Sequence, residues 1–291
     1  MPPLQTLAKM LAKVTFEAQM KKLPINWKMP MGNPAAKQYI DAFPMAEHAA
    51  GGPPSPRPFF HNATPLKDHA DTAKKIGGQF KDFMDEAMDK TLQAVDMFRA
   101  QAKFKDLKVM AVCAIGAPGC FDGPKLKDTP PYSAWQGKND NEKKWIKNIV
   151  TTMTDNWDKW ASKVTVPGLP WYPLFAALPM PTAPPTPAIP MPLIVCISAM
   201  MSALAVSMSL KKELCDNHDS GLKDKDEDKQ FEAFYTAFAT GFSTVFLMWL
   251  PMQMIMACLG KGPAPGYAPP YVPFFPVTGG DNVAAPGHVA A

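Results

Sequence analysis

From residue 164 through residue 210 the chain contains no Asp, Glu, Lys or Arg, and residues 233–260 contain none either. Within these runs, 18 uncharged residues at 193–210 and 28 at 233–260 limit what the chain can become, because neither segment suits a fully solvated surface. As a helix, either is long enough to cross a hydrocarbon core of about 30 Å. The pattern predicts an apolar helical hairpin joined by an acidic loop, placed in a membrane or deep within a large assembly.

Charge divides along the same line. Residues 164–291 carry six lysines and nine acidic side chains, a net of −3, which leaves +7 of the overall +4 on residues 1–163. Only 19% of residues are charged, against the ~25% usual in soluble domains, while Pro reaches 33 and Met 20. Proline at this density interrupts helices and ladders and implies long extended stretches. The five cysteines form no CxxC pair, and Cys196 and Cys258 sit inside the apolar runs, so reduced buried thiols are expected rather than a disulfide framework. Residues 2–23 alternate Lys with apolar residues and lack the continuous apolar core of a signal peptide.

That first segment predicts an amphipathic helix with Leu4, Leu7, Leu11, Val14 and Ala18 on its seam. Residues 24–65 hold nine prolines and little periodicity, the pattern of an extended arm. Asn62-Ala63-Thr64 matches a glycosylation acceptor but is followed by Pro65. Thr64-Pro65 makes a good helix start. From there to about Lys105, Phe80, Met84, Ala87, Thr91, Val95, Phe98 and Ala102 fall on one face. Another helix opens at Asn139 or Asp140 and runs to about Val164, with Trp145, Ile149, Met153, Trp157 and Trp160 at three- or four-residue spacing as core or interface anchors.

Ten of the 26 residues from 167 to 192 are proline, which predicts an extended arm spanning ~80 Å if wholly polyproline. Disordered linkers are polar, whereas Leu169, Trp171, Tyr172, Phe175 and Leu178 call for cover, so they are the expected interface with partner subunits. Within the predicted hairpin, Ala199, Ala203 and Ser207 on one helix and Ala233, Ala237 and Gly241 on the other recur every four residues. Such rows let helix backbones approach closely. Pro251 is expected to kink or end the second helix. Neither helix carries a Lys/Arg cluster on one side with Trp/Tyr girdles at both ends, so an ordinary membrane protein is not marked.

The Pro-rich arm around Trp171-Tyr172-Pro173, followed by a Ser/Ala/Met-rich segment, resembles virion structural proteins of tailed bacteriophages over roughly the C-terminal half. The resemblance is compositional. It implies an assembly role in a tail, baseplate or capsid and assigns no residue a task.

Motifs for chemistry are sparse. Phosphate-loop, dinucleotide, HExxH and GxSxG patterns do not occur. Counted as a calcium loop, residues 216–227 place Asp216, Ser220, Asp224 and Glu227 at ligand positions. His218 stands at the third position and Lys223 at the eighth, so a solvated acidic turn is the expectation and no metal or other cofactor is expected. Lysines in the middle of the chain interleave with acids and arginine is scarce, which argues against specific nucleic-acid binding.

The expected fold is mainly α, with amphipathic helices and an apolar helical hairpin linked by long Pro-rich extended arms. Its parts would be a helix and arm at 1–65, a polar helical region at 66–165, the apolar arm at 166–192, the hairpin at 193–260 and a Pro/Gly-rich tail at 261–291. The expected role is a non-enzymatic structural subunit of a large assembly, most readily a phage tail or baseplate, partnered by copies of itself and other particle subunits. It would be located in the virion after assembly in a host cytoplasm. The alternative is a two-span integral membrane protein with a soluble helical N-terminal half.

Overall fold

A computed structural model describes residues 2–19, 63–110, 112–172, 175–177, 182–198, 204–226, 229–263, 274–276 and 280–290. Seven helices occur among them: α1 (Pro2–Gln19), α2 (Ala63–Gln101), α3 (Pro130–Ser133), α4 (Asp140–Lys163), α5 (Ser207–Asp216), α6 (Ser220–Lys223) and α7 (Gln230–Met252). Four small antiparallel sheets accompany them. The mainly α expectation is therefore overturned: the chain mixes a helical body with sheet built largely from its Pro-rich parts.

The helices form where their faces can be covered. Asn139 caps α4 by accepting the Glu142 N–H at 2.8 Å, and Glu142 reaches back to the Lys138 N–H at 2.6 Å, closing a reciprocal cap. The α4 stripe then meets α2 and α7. Trp157 is fully buried against Phe98 (5.2 Å between ring centroids), Trp160 (4.7 Å), Phe246 (5.9 Å) and Trp249 (5.9 Å). This aromatic knot is the centre of the core. α7 ends at Met252, one residue past Pro251, whose ring the last turn tolerates.

Only α7 is a long apolar helix among the described residues, so there is no hairpin. The run 193–210 breaks into a 3-10 turn at Leu193–Val195, strand β9 (Ile197–Ser198) and, after residues that lie outside the description, the start of α5. The β-branched residues Ile194, Val195 and Ile197 weaken a long helix here, and of the three Ile197 lies in the strand. The two-span membrane alternative loses its first span with it.

The Pro-rich arm also departs from expectation. Its first part is β5 (Val164–Pro170), paired with β3 (Cys113–Gly116), which also pairs with β2 (Lys108–Val109), while β9 lies on the far side of β5. Further along, β6 (Phe175–Ala177) and β7 (Thr182–Pro187) join β11 (Leu259–Pro263), β12 (Phe274–Pro276) and β13 (Asp281–Val283) in the order β12-β6-β7-β11-β13. Some prolines fall at slips in register, while Pro170, Pro187 and Pro192 stand opposite Cys113, Leu259 and Met254 within the ladders. Pro167 falls where β3–β5 pairing shifts between Ala114 and Gly116, and Pro184-Pro185 where β7–β11 pairing shifts between Gly260 and Gly262. A bulge leaves a residue unpaired, so a missing N–H loses no ladder bond there.

The remaining strands tie distant parts together. β1 (Lys103–Phe104) pairs with β4 (Phe121–Asp122), and β10 (Met254–Ile255) lies between β8 (Met191–Pro192) and β14 (Val289–Ala290). Near the C-terminus, Asn282 Oδ1 accepts the Leu107 N–H at 2.9 Å and its amide donates to the Phe104 carbonyl at 2.8 Å. His288 Nδ1 accepts the Phe104 N–H at 2.9 Å. Residues 280–290 thus clip the segment that follows α2.

The α1 seam is rotated from its expected position. Leu4, Ala8, Ala12 and Phe16 are the buried residues, at strict four-residue spacing, while Val14 is 61% exposed and Ala18 is also exposed. Small side chains won over larger ones because α7 approaches closely here. A methyl group at Gly241 would come within 2.8 Å of the Ala8 carbonyl oxygen and 3.2 Å of Ala12 Cβ.

Candidate functional site

Asn148, Thr152 and Asn156 recur every four residues on the buried side of α4, beside the Trp stripe. They build a polar network inside the helical body. Asn148 Nδ2 donates to the Leu214 carbonyl and to Tyr235 Oη, both at 2.8 Å. The Tyr235 hydroxyl also shares a hydrogen bond with His218 Nδ1 at 2.8 Å. Asn217 Nδ2 reaches Thr152 Oγ1 at 3.1 Å and Asn156 Nδ2 reaches Glu213 Oε2 at 2.6 Å.

His218 is 4% exposed, stacked on Phe231 at 5.0 Å and set edge-on to Trp145 at 4.6 Å. Burial pulls its pKa down to about 4, helped by the Lys223 charge and opposed by Asp219 and Asp226. At neutral pH it is an uncharged imidazole that ties the segment after α5 to α7 through Tyr235. The linkage has a definite sign. Unfolded, the ring binds a proton below about pH 6.5, which the folded chain cannot do until about pH 4, so the stabilisation is complete above 6.5 and is lost as pH falls toward 4. The loss across that window is expected to approach roughly 2–3 kcal/mol. Urea denaturation between pH 7 and pH 4 should show a steeper decline for the wild type than for His218→Gln, and parallel profiles would remove His218 as the cause.

Trp145 is shared between this network and a surface cleft of about 320 Å³ between α2 and the start of α4. Phe80, Phe83 and Trp145 line it together with Asp82, Glu86 and Glu142. The aromatic faces are largely committed to one another: Phe83 stacks on Trp135 at 5.9 Å and on Phe234 at 5.6 Å, leaving its edge for the cleft. Two of the carboxylates are also engaged, Glu86 with Trp135 Nε1–H at 2.9 Å and Glu142 in the α4 cap. The cleft lies between α2 and the start of α4, and its lining mixes acidic and aromatic side chains with Lys138.

The thiols behave as core groups. Burial pushes Cys120 up to about 11 and both Cys196 and Cys258 up to about 12, and Cys215 to about 11, so all four are protonated at neutral pH and weakly nucleophilic. Among the described residues no group of three or more His, Cys, Asp or Glu is placed to hold a metal ion. The acidic stretch after α5 shows why. Asp219 caps α6 by accepting the Leu222 N–H at 3.1 Å and also meets Lys144 at 3.0 Å, while Asp226 accepts the Phe231 N–H at the start of α7. Asp216 closes α5, Ser220 opens α6 and Asp224 follows it, while Glu227 lies outside the described residues.

The expected interface residues divide. Leu169 is fully buried and Trp171 is 2% exposed, with its indole N–H donating to the Thr186 carbonyl at 2.8 Å, so this chain covers both itself. Tyr172 is 64% exposed. Phe175 is in β6 with its side chain outside the description, as is all of Leu178. Of the helix-packing set, Ala237 and Gly241 are buried and Ala233 half-buried on α7, and Ser207 is half-buried at the start of α5; Ala199 and Ala203 lie outside the described residues. The α7 row packs on α1, an element not foreseen as its neighbour.

Sequence reasoning missed the His218–Tyr235–Asn148 network. A signal existed in the polar row Asn148, Thr152, Asn156 at helical spacing beside a tryptophan stripe, since buried amides at that period need partners from another element. Compared with family models, curated proteins and solved structures, the chain has no significant match.

Proposed function

We propose that the chain is a non-enzymatic structural subunit of a large assembly, and that it docks through the apolar end of α7. The observation carrying this reading is a patch of large exposed side chains. Leu247, Met248 and Met252 are 44–50% exposed, next to exposed Pro251, and lie on adjacent turns of one helix. Ile194 and Val195 are also exposed in the 3-10 turn tied to the end of α7, where the Leu193 N–H donates to the Gln253 carbonyl at 2.7 Å. Apolar clusters of this kind mark interaction surfaces, and methionine suits them because it adapts to irregular partners. The particle favoured is a phage tail or baseplate, for which the support is the arm's compositional resemblance.

Membrane attachment is the second reading, favoured by one observation: α7 has the length and apolar character of a single span. Most of that helix is buried within the protein, which favours a core role. Fractionation separates the two readings. Sedimentation with particles in the absence of detergent supports the subunit, and recovery only from detergent-extracted membranes supports the span. Leu247→Glu with Met252→Glu is expected to abolish incorporation while leaving the chain's melting temperature within about 2 °C, because both side chains already face solvent. Unaltered incorporation of a folded double variant would rule out this face.

A further inference from the structure

α1 contacts the body through a single face and sits in a groove whose floor is Gly241 of α7 and whose wall is α2. Its charges match that wall in one direction only. Lys9 pairs with Asp89, Lys13 Nζ lies 2.7 Å from Asp85 Oδ2, and at the other end the polarity reverses, with Glu17 meeting Lys81. Gln5 Nε2 adds a bond to Asp89 Oδ1 at 2.5 Å. A helix inserted the other way round would set Glu17 toward Asp89 and lysines toward Lys81. The groove is therefore complementary to α1 in shape, through Ala8 and Ala12 over Gly241, and in charge sequence.

The connection back to the body is far longer than this seating requires. Phe16 packs on Phe80 at 6.3 Å, and α2 begins 17 residues before Phe80, about 26 Å away along the helix at ~1.5 Å per residue. About eight extended residues would bridge that gap. The chain supplies residues 20–62, 43 in number, whose extended reach is on the order of 140 Å. A connection of 43 residues is long enough for α1 to reach the groove of a neighbouring copy as well as its own.

We propose that α1 is an exchangeable docking helix, which occupies the α2–α7 groove of a second copy of this chain when copies are packed together. The partner is the same sequence, because the groove's shape and charge order select α1 itself. This inference rests on the reading of the chain as an assembly subunit, and it names the contact by which copies join.

Complementary charge reversals test it on the full chain. One variant carries Lys9→Asp with Lys13→Asp, the other Asp85→Lys with Asp89→Lys, so that neither can seat its own helix without like-charge contacts. Mixed, each helix finds an opposite charge only in the other chain's groove. The expected result is a species near twice the 31.8 kDa chain mass, with at least about tenfold more dimer than either variant forms alone. A mixture of folded variants that stays at monomer mass overturns the proposal. Should the reversals prevent folding, chains bearing Lys13→Cys and Asp85→Cys separately are mixed and treated with a short bis-maleimide, the unsubstituted chain serving as control for native thiols. A cross-linked dimer beyond the control supports exchange, and its absence overturns it. Failure here with intact particle incorporation would leave the subunit reading standing, since that reading is tested through α7.

Discussion

Replacing Gly241 with alanine is expected to destabilise the protein, although alanine is the better helix former. Inside a helix the exchange should gain about 1 kcal/mol from propensity alone. Here the added methyl would lie 2.8 Å from a backbone oxygen, that of Ala8, which cannot rotate away as a side-chain tip could. Overpacking of this kind typically costs about 1–3 kcal/mol, enough to reverse the sign, and Gly241→Leu should sit at or beyond the upper end. The internal control is Gly78 in α2, where a methyl meets nothing within 4 Å. Gly78→Ala should therefore raise stability by roughly 0.5–1 kcal/mol. Urea denaturation of the three variants tests the set, and hydrogen exchange in residues 2–19 should rise for the Gly241 variants alone. A stabilised Gly241→Ala would mean that α1 does not press against α7.

The largest single loss is expected at Trp157, where truncation to alanine should cost about 3–5 kcal/mol. Its ring is shared by α2 through Phe98, by α4 through Trp160 and by α7 through Phe246 and Trp249, so one cavity would open at the junction of three helices. Trp157→Phe should be far milder, because the indole Nε1–H has no hydrogen-bond partner and its removal leaves no acceptor orphaned. Equal losses in the two variants would show that ring volume is not what holds this junction together.

Much of the helical body was legible because its signals are local and agree with one another. The cap Asn139 with Glu142, followed by Ile149, Met153, Trp157 and Trp160 at helical spacing, marks α4 nearly to the residue. The face from Met84 to Phe98 likewise lies on the buried side of α2, with Phe80 half-buried and Ala102 just beyond its end. Residues 193–210 were misjudged because absence of charge reports burial and not conformation. A strand within a covered sheet and a buried helix read alike by that measure, and the β-branched cluster at 194–197 was the better guide. The Pro-rich arm was misjudged because proline removes one N–H but keeps a carbonyl and an extended backbone that can pair, and where it pairs depends on partners more than 50 residues away, as Ala114 is from Leu169. The α1 seam failed for a related reason. Leu7, Leu11 and Val14 are the more apolar choice, but the closeness of α7 favours Ala8 and Ala12, and that closeness is a property of Gly241.

The polar network was hidden for a third reason. His218 follows α5 and Tyr235 belongs to α7, so neither shares a local pattern with Asn148, and their contact is decided by how the helices dock. Its existence gives the junction of α4 and α7 a directional bond that apolar packing alone does not supply.

The clip made by residues 280–290 bears on the order in which the molecule can be built. Phe104 and Leu107 leave the ribosome early, yet their hydrogen-bond partners Asn282 and His288 follow 175 to 184 residues later. At a synthesis rate of about 5–20 residues per second, these two amides wait on the order of ten seconds or more bonded to water instead. The helical body and the β1–β4 and β2–β3 pairs can form during that interval, but Phe104 and Leu107 gain their side-chain partners only once residues 282–288 are made. A chain stalled before residue 280 would leave these two amides to solvent, so the segment after α2 is secured by residues made long after it.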